Sequence, residues 1–383
     1  MKNNKVIIIG PAMVNTLGMI RSCGEEKLSV HLMLQGKKSI NNYVRFSRYI
    51  SKIHYFSSDS ELLEIFHRDY WDEKEKIAVL CGGDDAISFL DNHYDELVER
   101  FQFFNCEKQG TINFYLDKTK QFAIAEQAGL SIIKTWIITD VHHLPKDITF
   151  PCLTKGRNSI KSTKSDMHIC QTRKELKDCL SENTEYIVQE YLEKEYELNC
   201  ICLAYNHGKE IIAPCTIRKI RDDIGRQSAY FHTDDFTNYP NFNRDILARI
   251  ANMLHYEGIF SVELIYSKGK YYFLEINLRN DGCGYLYTAA GCNYPYIWHQ
   301  YAKGLLTANV GRNVQAQIYK YMMSEQDLRN LFDRKVGFAT WLKQFLTCDA
   351  FYILSFTDPL PFFYSNFVHL KQFVKRILGL PLV

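Results

Sequence analysis

The segment that most constrains this chain is a pair of alternating runs, residues 259–266 and 270–276, joined only by Ser267, Lys268 and Gly269. Two such runs about a short glycine-containing connection fold as a β-hairpin. Glu263 lies on the first strand, while Glu275 and Asn277 lie two apart on the second and so face one side. Val262, Leu264, Leu274 and Ile276 alternate against them, which makes one whole face of the hairpin polar. Opposed strands can bring the two carboxylates and the amide oxygen together. That hard-oxygen set suits Mg²⁺, which keeps several waters and shares phosphate oxygens. Arg279, two residues on, can offer a forked donor to a phosphate or carboxylate. Taken alone, Glu263 would be an ordinary solvated charge.

Upstream, the first hundred residues alternate apolar strands, at 6–9, 30–34 and 77–81, with polar helical stretches. This order predicts a parallel sheet with helices on its faces. Gly10, Gly18, Gly82 and Gly83 fall at or just after strand ends, where such sheets place ligand loops, although tight turns explain them equally. A helix is expected from Lys118 to a C-cap at Gly129, with Phe122, Ala125 and Ala128 on one face. Strands dominate from 145 to 277, at 149–155, 186–192, 198–204 and 210–216 after an earlier run at 132–138, and are expected to be antiparallel.

With 383 residues, 46% of them hydrophobic, two or three domains are expected. The 46 basic and 44 acidic residues leave a formal charge of +2, which excludes the global field of a nucleic-acid binder. The apolar run 6–9 is too brief for a signal h-region, so the cytoplasm is the expected compartment. Cysteines such as Cys81, Cys152, Cys200, Cys202 and Cys215 sit in expected strands without a CxxC pair, and are read as reduced core residues.

The run Tyr272-Phe273-Leu274-Glu275-Ile276-Asn277-Leu278-Arg279 resembles the metal-binding strand of the ATP-grasp superfamily, with its Glu-x-Asn-x-Arg arrangement, and Glu263 sits where that family supplies its other metal carboxylate. Three further features follow the family order: Asp117-Lys118 opening a helix, Lys155 at a strand end, and the hinge-like Val188-Gln189-Glu190-Tyr191-Leu192 with Glu197 beyond it. The resemblance covers residues 117–291. It implies a fold of α/β and α+β class: a Rossmann-like parallel-sheet domain at 1–110, a two-lobed ATP-grasp domain at 111–305 (lid lobe 135–190, metal-binding lobe 191–305) and an aromatic, basic tail at 306–383.

It also implies ATP and two Mg²⁺ ions held by Glu263, Glu275 and Asn277, with Lys118 and Lys155 on phosphates. Glu190, Tyr191 and Leu192 would read the adenine, and Glu197 the ribose hydroxyls. The implied activity is a carboxylate-amine ligase working through an acyl phosphate on small-molecule substrates, with Arg279 and Arg218 on the reacting groups; the alternatives are a catalytically weak ATP-binding scaffold or an acid-thiol ligase of the same fold. The stretch 13–21 resembles the opening of amino-acid ligases, which makes an amino acid the first expected substrate and a cell-envelope or surface-glycan precursor the second.

One departure from the family pattern stands out. The loop after Lys155, from Gly156 through Arg157, Lys161 and Lys164 to Ser165, holds a single glycine where the family is glycine-rich. Basic side chains and hydroxyls are expected to stand in on the phosphates, or the loop is simply exposed. Arg218 is the candidate from the cluster Arg218, Lys219, Arg221 and Arg226, expected as a loop bordering the substrate carboxylate, and the turn Asn280-Asp281-Gly282-Cys283-Gly284 is expected to face the substrate. The tail has two readings: an interfacial helix at 367–378 touching a membrane surface, or packing onto the body or a partner subunit of a homodimer.

Overall fold

The computed structural model describes residues 4–158, 167–182, 184–221, 228–239, 241–306 and 318–367. Lys161, Lys164, Arg226 and nearly all of the 367–378 helix expected in the tail lie outside them. The chain forms two compact units, Met1–Phe104 with Arg279–Val383, and Asn105–Leu278.

The first unit opens with β1 (Lys5–Gly10), α1 (Val14–Glu25), β2 (Ser29–Gln35), β3 (Ile50–Phe56), α2 (Asp59–Tyr70), β4 (Ile77–Cys81), α3 (Asp84–Asn92), α4 (Tyr94–Leu97) and β5 (Phe101–Gln102). All five strands are parallel, in the order β3-β2-β1-β4-β5. Val6 to Ile9 are fully buried, as a central parallel strand covered on both faces requires. The carboxyl ends of β1 and β4 lie side by side, and there Thr16 packs so closely on Gly10 and Gly82 that a Cβ on either would collide with its hydroxyl.

The second unit contains α5 (Thr111–Tyr115), α6 (Lys118–Ala128), β6 (Ser131–Ile132), β7 (Thr135–Ile138), β8 (Cys152–Gly156), β9 (Ile169–Cys170), α7 (Arg173–Cys179), β10 (Tyr186–Glu190), β11 (Tyr196–Tyr205), β12 (Glu210–Ile212), β13 (Thr216–Arg221), β14 (Tyr230–Asp234), α8 (Asp245–Leu254), β15 (Gly258–Ser267) and β16 (Lys270–Asn277). A small antiparallel sheet, β7-β10-β8-β9, packs Trp136, Val188, Cys152 and Tyr186 with Leu176 of α7 into its own core. A larger sheet runs β14-β13-β11-β15-β16 in antiparallel pairs, with β6 added in parallel on β16.

Two expected strands divide. Residues 132–138 split between β6 and β7, which belong to different sheets. Residues 210–216 split at Ala213-Pro214-Cys215, because proline lacks the N–H that a ladder needs. The second piece becomes β13, so Arg218 and Lys219 lie in a strand rather than the loop that was expected.

The chain then re-enters the first unit with α9 (Gly284–Ala289), α10 (Tyr294–Ala302), β17 (Lys320–Met322), α11 (Ser324–Phe332), α12 (Phe338–Leu346) and β18 (Ala350–Phe351). α9 and α10 pack on α1, and Trp298 donates its indole N–H to the Val79 carbonyl of β4 at 3.2 Å. In the former tail segment Tyr321, Met322, Tyr352 and Ile353 are buried, while Phe332, Phe338, Leu346 and Phe356 are exposed. Among the described residues no helix is long and apolar enough to cross a membrane.

Candidate functional site

Strand register assembles the site in the second unit. Glu263 is directly opposite Glu275, and Ser261 opposite Asn277. On the other side of β15, Asn199 of β11 stands opposite Glu263, and one step further Glu197 stands opposite Lys219 of β13. Directly opposed residues share a face, as do residues two apart on one strand. Lys219, Glu197, Asn199, Glu263, Glu275 and Asn277 therefore form one polar field across four strands. The pairing slips between Glu263 and Leu264, a bulge placed immediately beside the opposed carboxylates.

Lys219 is the residue that the sequence reading passed over in favour of its neighbour. Its ammonium donates to Glu263 Oε2 at 2.7 Å and also bonds Glu197 Oε1. Lys194 adds a contact to Glu197 Oε2 at 2.8 Å. Burial pushes the Glu197 carboxyl up, but the two lysines outweigh it and hold it at about 2. Burial likewise pulls the Lys219 ammonium down, and Glu197 and Glu263 more than reverse this, raising it well above the usual lysine range. Arg218, one position earlier, takes the opposite face by strand alternation, with its guanidinium 5.2 Å from the Tyr196 ring centre. Arg218 thus lies on the face away from Glu197, Asn199 and Glu263.

The two candidate phosphate lysines reach the same field. Lys118, the first residue of α6, places its ammonium 3.1 Å from Glu275 Oε2. Lys155 is buried on β8, and burial followed by the like charge of Lys118 lowers its ammonium to about 8 against the pull of Glu275, Glu263 and Glu197. Asp117 caps α6 through Thr119 N–H at 2.9 Å. It also accepts both Nε and Nη2 of Arg157, at 3.1 and 2.8 Å, while Lys118 N–H bonds the Arg157 carbonyl at 3.2 Å. Burial raises the Asp117 carboxyl, and the bonds from Arg157 and Thr119 bring it net below its ordinary value. Arg157, expected as a phosphate donor, is here the tie that holds the start of α6 against the end of β8.

At the hinge, the Glu190 N–H is bonded to the Lys134 carbonyl at 2.9 Å and the Tyr191 N–H to the Pro151 carbonyl at 3.0 Å. Those two donors are committed to the fold, so any recognition of a base here falls to other atoms of Glu190, Tyr191 and Leu192. Arg279 belongs to the first unit, where Nε donates to Asp84 Oδ1 at 2.6 Å and Nη1 to the Asn280 carbonyl at 3.2 Å. The turn after it is also locked inside that unit: Asn280 N–H bonds the Cys81 carbonyl, and Cys283 N–H bonds Asp281 Oδ1 at 2.8 Å.

The donor set fits a hard divalent cation. It offers two carboxylates and an amide rather than a complete cage, and among the described residues no cluster of three or more His, Cys, Asp or Glu side chains makes one. Such a partial set suits a cation that draws its remaining ligands from water and phosphate. On the same face, Asn199 Oδ1 is buried without a hydrogen-bond donor, an acceptor that an incoming polar ligand or its water can satisfy.

A small antiparallel lobe beside a larger sheet thus places lysines from a helix start and a strand end near a carboxylate-bearing hairpin. Residues 123–296, a little under half of the chain, match the ATP-grasp domain family. In sequence it is 25% identical over 176 residues to a formate-dependent phosphoribosylglycinamide formyltransferase of Wolinella succinogenes, a match of 42% of this chain and 43% of that protein. The chain thus matches less than half of that curated relative. In fold it is similar to an L-amino acid ligase of Bacillus licheniformis (TM-score 0.62, 13% identity, 84% of this chain and 80% of that one). It is likewise similar to the N5-carboxyaminoimidazole ribonucleotide synthetase of Thermotoga maritima (TM-score 0.58, 18% identity, 80% and 77%). It also covers 32% of a Rhizobium etli pyruvate carboxylase chain, at a TM-score of 0.61 and 13% identity over 82% of its own length.

Proposed function

We propose that this chain is an ATP- and Mg²⁺-dependent carboxylate-amine ligase that forms an amide bond through an acyl phosphate. The observation that carries this reading is the polar face on which Glu263, Glu275 and Asn277 stand together with Lys118 and Lys219 at their edge. In it, Glu263, Glu275 and Asn277 would hold Mg²⁺, two ions on this reading, which would supply positive charge to the ATP phosphates. Lys118 and Lys155 bind phosphate oxygens. Glu190 takes the adenine amino group and Glu197 the ribose hydroxyls, so Glu197 must share its oxygens with Lys219 and Lys194. Arg279 is kept as the donor to the reacting carboxylate, which requires its pairing with Asp84 to be shared or opened. Arg218 is not assigned a role. The amine then attacks the acyl phosphate, and ADP and phosphate leave without a covalent enzyme intermediate.

For one substrate we favour an amino acid, in line with the segment 13–21 and with the name of the Bacillus licheniformis ligase of similar fold. For the other we favour a cell-envelope or surface-glycan precursor. The deciding experiment is ADP release by purified protein with Mg²⁺-ATP across amino acids and acidic acceptors, beside Glu275→Ala. Substrate-dependent release that falls about a hundredfold or more in the variant supports the ligase. Protein that fails to bind ATP at all would overturn it.

A further inference from the structure

Strand β16 is incompletely covered along one edge. β15 pairs with it throughout, but on the other side β6 reaches only Tyr272 and Phe273. Beyond that point Ile276, buried and set between Glu275 and Asn277, would present its N–H and carbonyl to α6 without a strand to receive them. The side chain of Gln121 takes that place. Ile276 N–H donates to Gln121 Oε1 at 2.9 Å, and Gln121 Nε2 donates back to the Ile276 carbonyl at 2.9 Å. The remaining Nε2 hydrogen goes to the Tyr115 carbonyl at 2.8 Å. Gln121 is itself 2% exposed. A primary amide has the same donor–acceptor pair as a backbone peptide, so one side chain continues the ladder where the sheet ends.

Gln121 also lies three residues after Lys118, one turn further along the same helix. One end of that turn thus pairs with Glu275 through Lys118, and the other grips the peptide between Glu275 and Asn277. We propose that Gln121 is a positioning residue that fixes the two metal ligands of β16 relative to the phosphate lysine Lys118. This rests on the ATP and Mg²⁺ reading above. Without the clamp, two buried backbone groups lose their partners and the strand end is free to shift by fractions of an ångström, which matters wherever ligands must meet a small cation at fixed distance.

The test uses the full chain as wild type, Gln121→Met, which removes all three bonds at similar volume, and Gln121→Glu, which keeps only the acceptor for Ile276 N–H. Two quantities are measured: amide hydrogen exchange at Ile276 without nucleotide, and the Mg²⁺ concentration that half-saturates binding of a non-hydrolysable ATP analogue. In Gln121→Met, Ile276 exchange should accelerate and the Mg²⁺ requirement rise about tenfold or more, with Mg²⁺-free binding of the analogue changed by less than about threefold. Gln121→Glu should fall between, and carries the test if the methionine variant does not fold. Faster exchange with an unchanged Mg²⁺ requirement would make Gln121 merely structural and overturn the proposal, as would equal weakening with and without Mg²⁺. If the wild type binds no nucleotide, the ligase reading fails separately, and exchange at Ile276 then decides alone whether Gln121 holds the strand.

Discussion

Lys155 is poised in the folded chain to lose its proton near pH 8, because burial and Lys118 outweigh three carboxylates. Its folded value lies below the ordinary 10.5, so the cationic form costs stability below pH 8, and that cost fades as pH rises towards 10.5. Phosphate binding needs the cation. Affinity for ATP should therefore be flat up to about pH 7.5 and decline above 8, whereas Lys155→Arg, which stays charged, should show a level profile. Calorimetric titrations between pH 6.5 and 9.5 check this, and a wild-type profile level to pH 9.5 would remove Lys155 from the phosphate site. Lys219 makes a second prediction. Glu197, depressed to about 2, contributes stability above its ordinary value of 4.5 that is lost as pH falls from there to 2. In Lys219→Met burial is left with less opposition, so the urea midpoint should drop at pH 7, by a cost of about 3 kcal/mol, and the gap between pH 7 and pH 4 should narrow.

The hairpin that carries the proposed metal ligands depends on a two-residue turn. Ser267 pairs with Lys270, and the intervening Lys268 and Gly269 have φ of 49° and 78°. Positive φ at both central positions matches the twist of the strands it joins, at a steric cost for the lysine. A Cβ on Gly269 would meet no atom within 4 Å, so the penalty of Gly269→Ala is backbone strain alone, about 1 kcal/mol. Lys268→Asn should move stability the other way by roughly 0.5 kcal/mol, since asparagine tolerates this conformation. Denaturant midpoints of the two variants should shift in opposite directions. Equal signs would mean the turn does not set the hairpin.

Within the first unit, α1 and the segment after β18 meet at a buried ion pair. Arg21 of α1, fully buried, donates Nε to Asp358 Oδ2 at 3.1 Å and Nη2 to the carbonyls of Ile353 and Asp358 at 2.6 and 3.1 Å. Asp358 also accepts from Ser47 Oγ at 2.8 Å and Arg48 N–H at 2.9 Å. The C-terminal segment is therefore wired to the first helix across 337 positions of sequence. Asp358→Ala strands the guanidinium in the core and should cost about 3–5 kcal/mol, while Arg21→Met with Asp358→Leu should cost less than Asp358→Ala alone. Thermal melts of the full chain give the comparison, and a double variant worse than the single would show that the pair contributes more than its own desolvation.

The parallel opening sheet, the hairpin and the grouping of Glu263, Glu275 and Asn277 are legible in the amino-acid order alone. Those follow from local periodicity, and a two-residue spacing on a strand settles which side chains share a face. That Lys219 rather than Arg218 faces the carboxylates emerges from strand pairing, because the break at Pro214 turned an expected loop into β13 and strand alternation then chose the face. Gln121 was invisible for a related reason: a helical glutamine carries no signal until the strand beside β16 is found to stop at Phe273, short of Ile276. Arg157 and Arg21 likewise took their meaning from partners 40 and 337 positions away, distances over which no pattern in the chain records who meets whom.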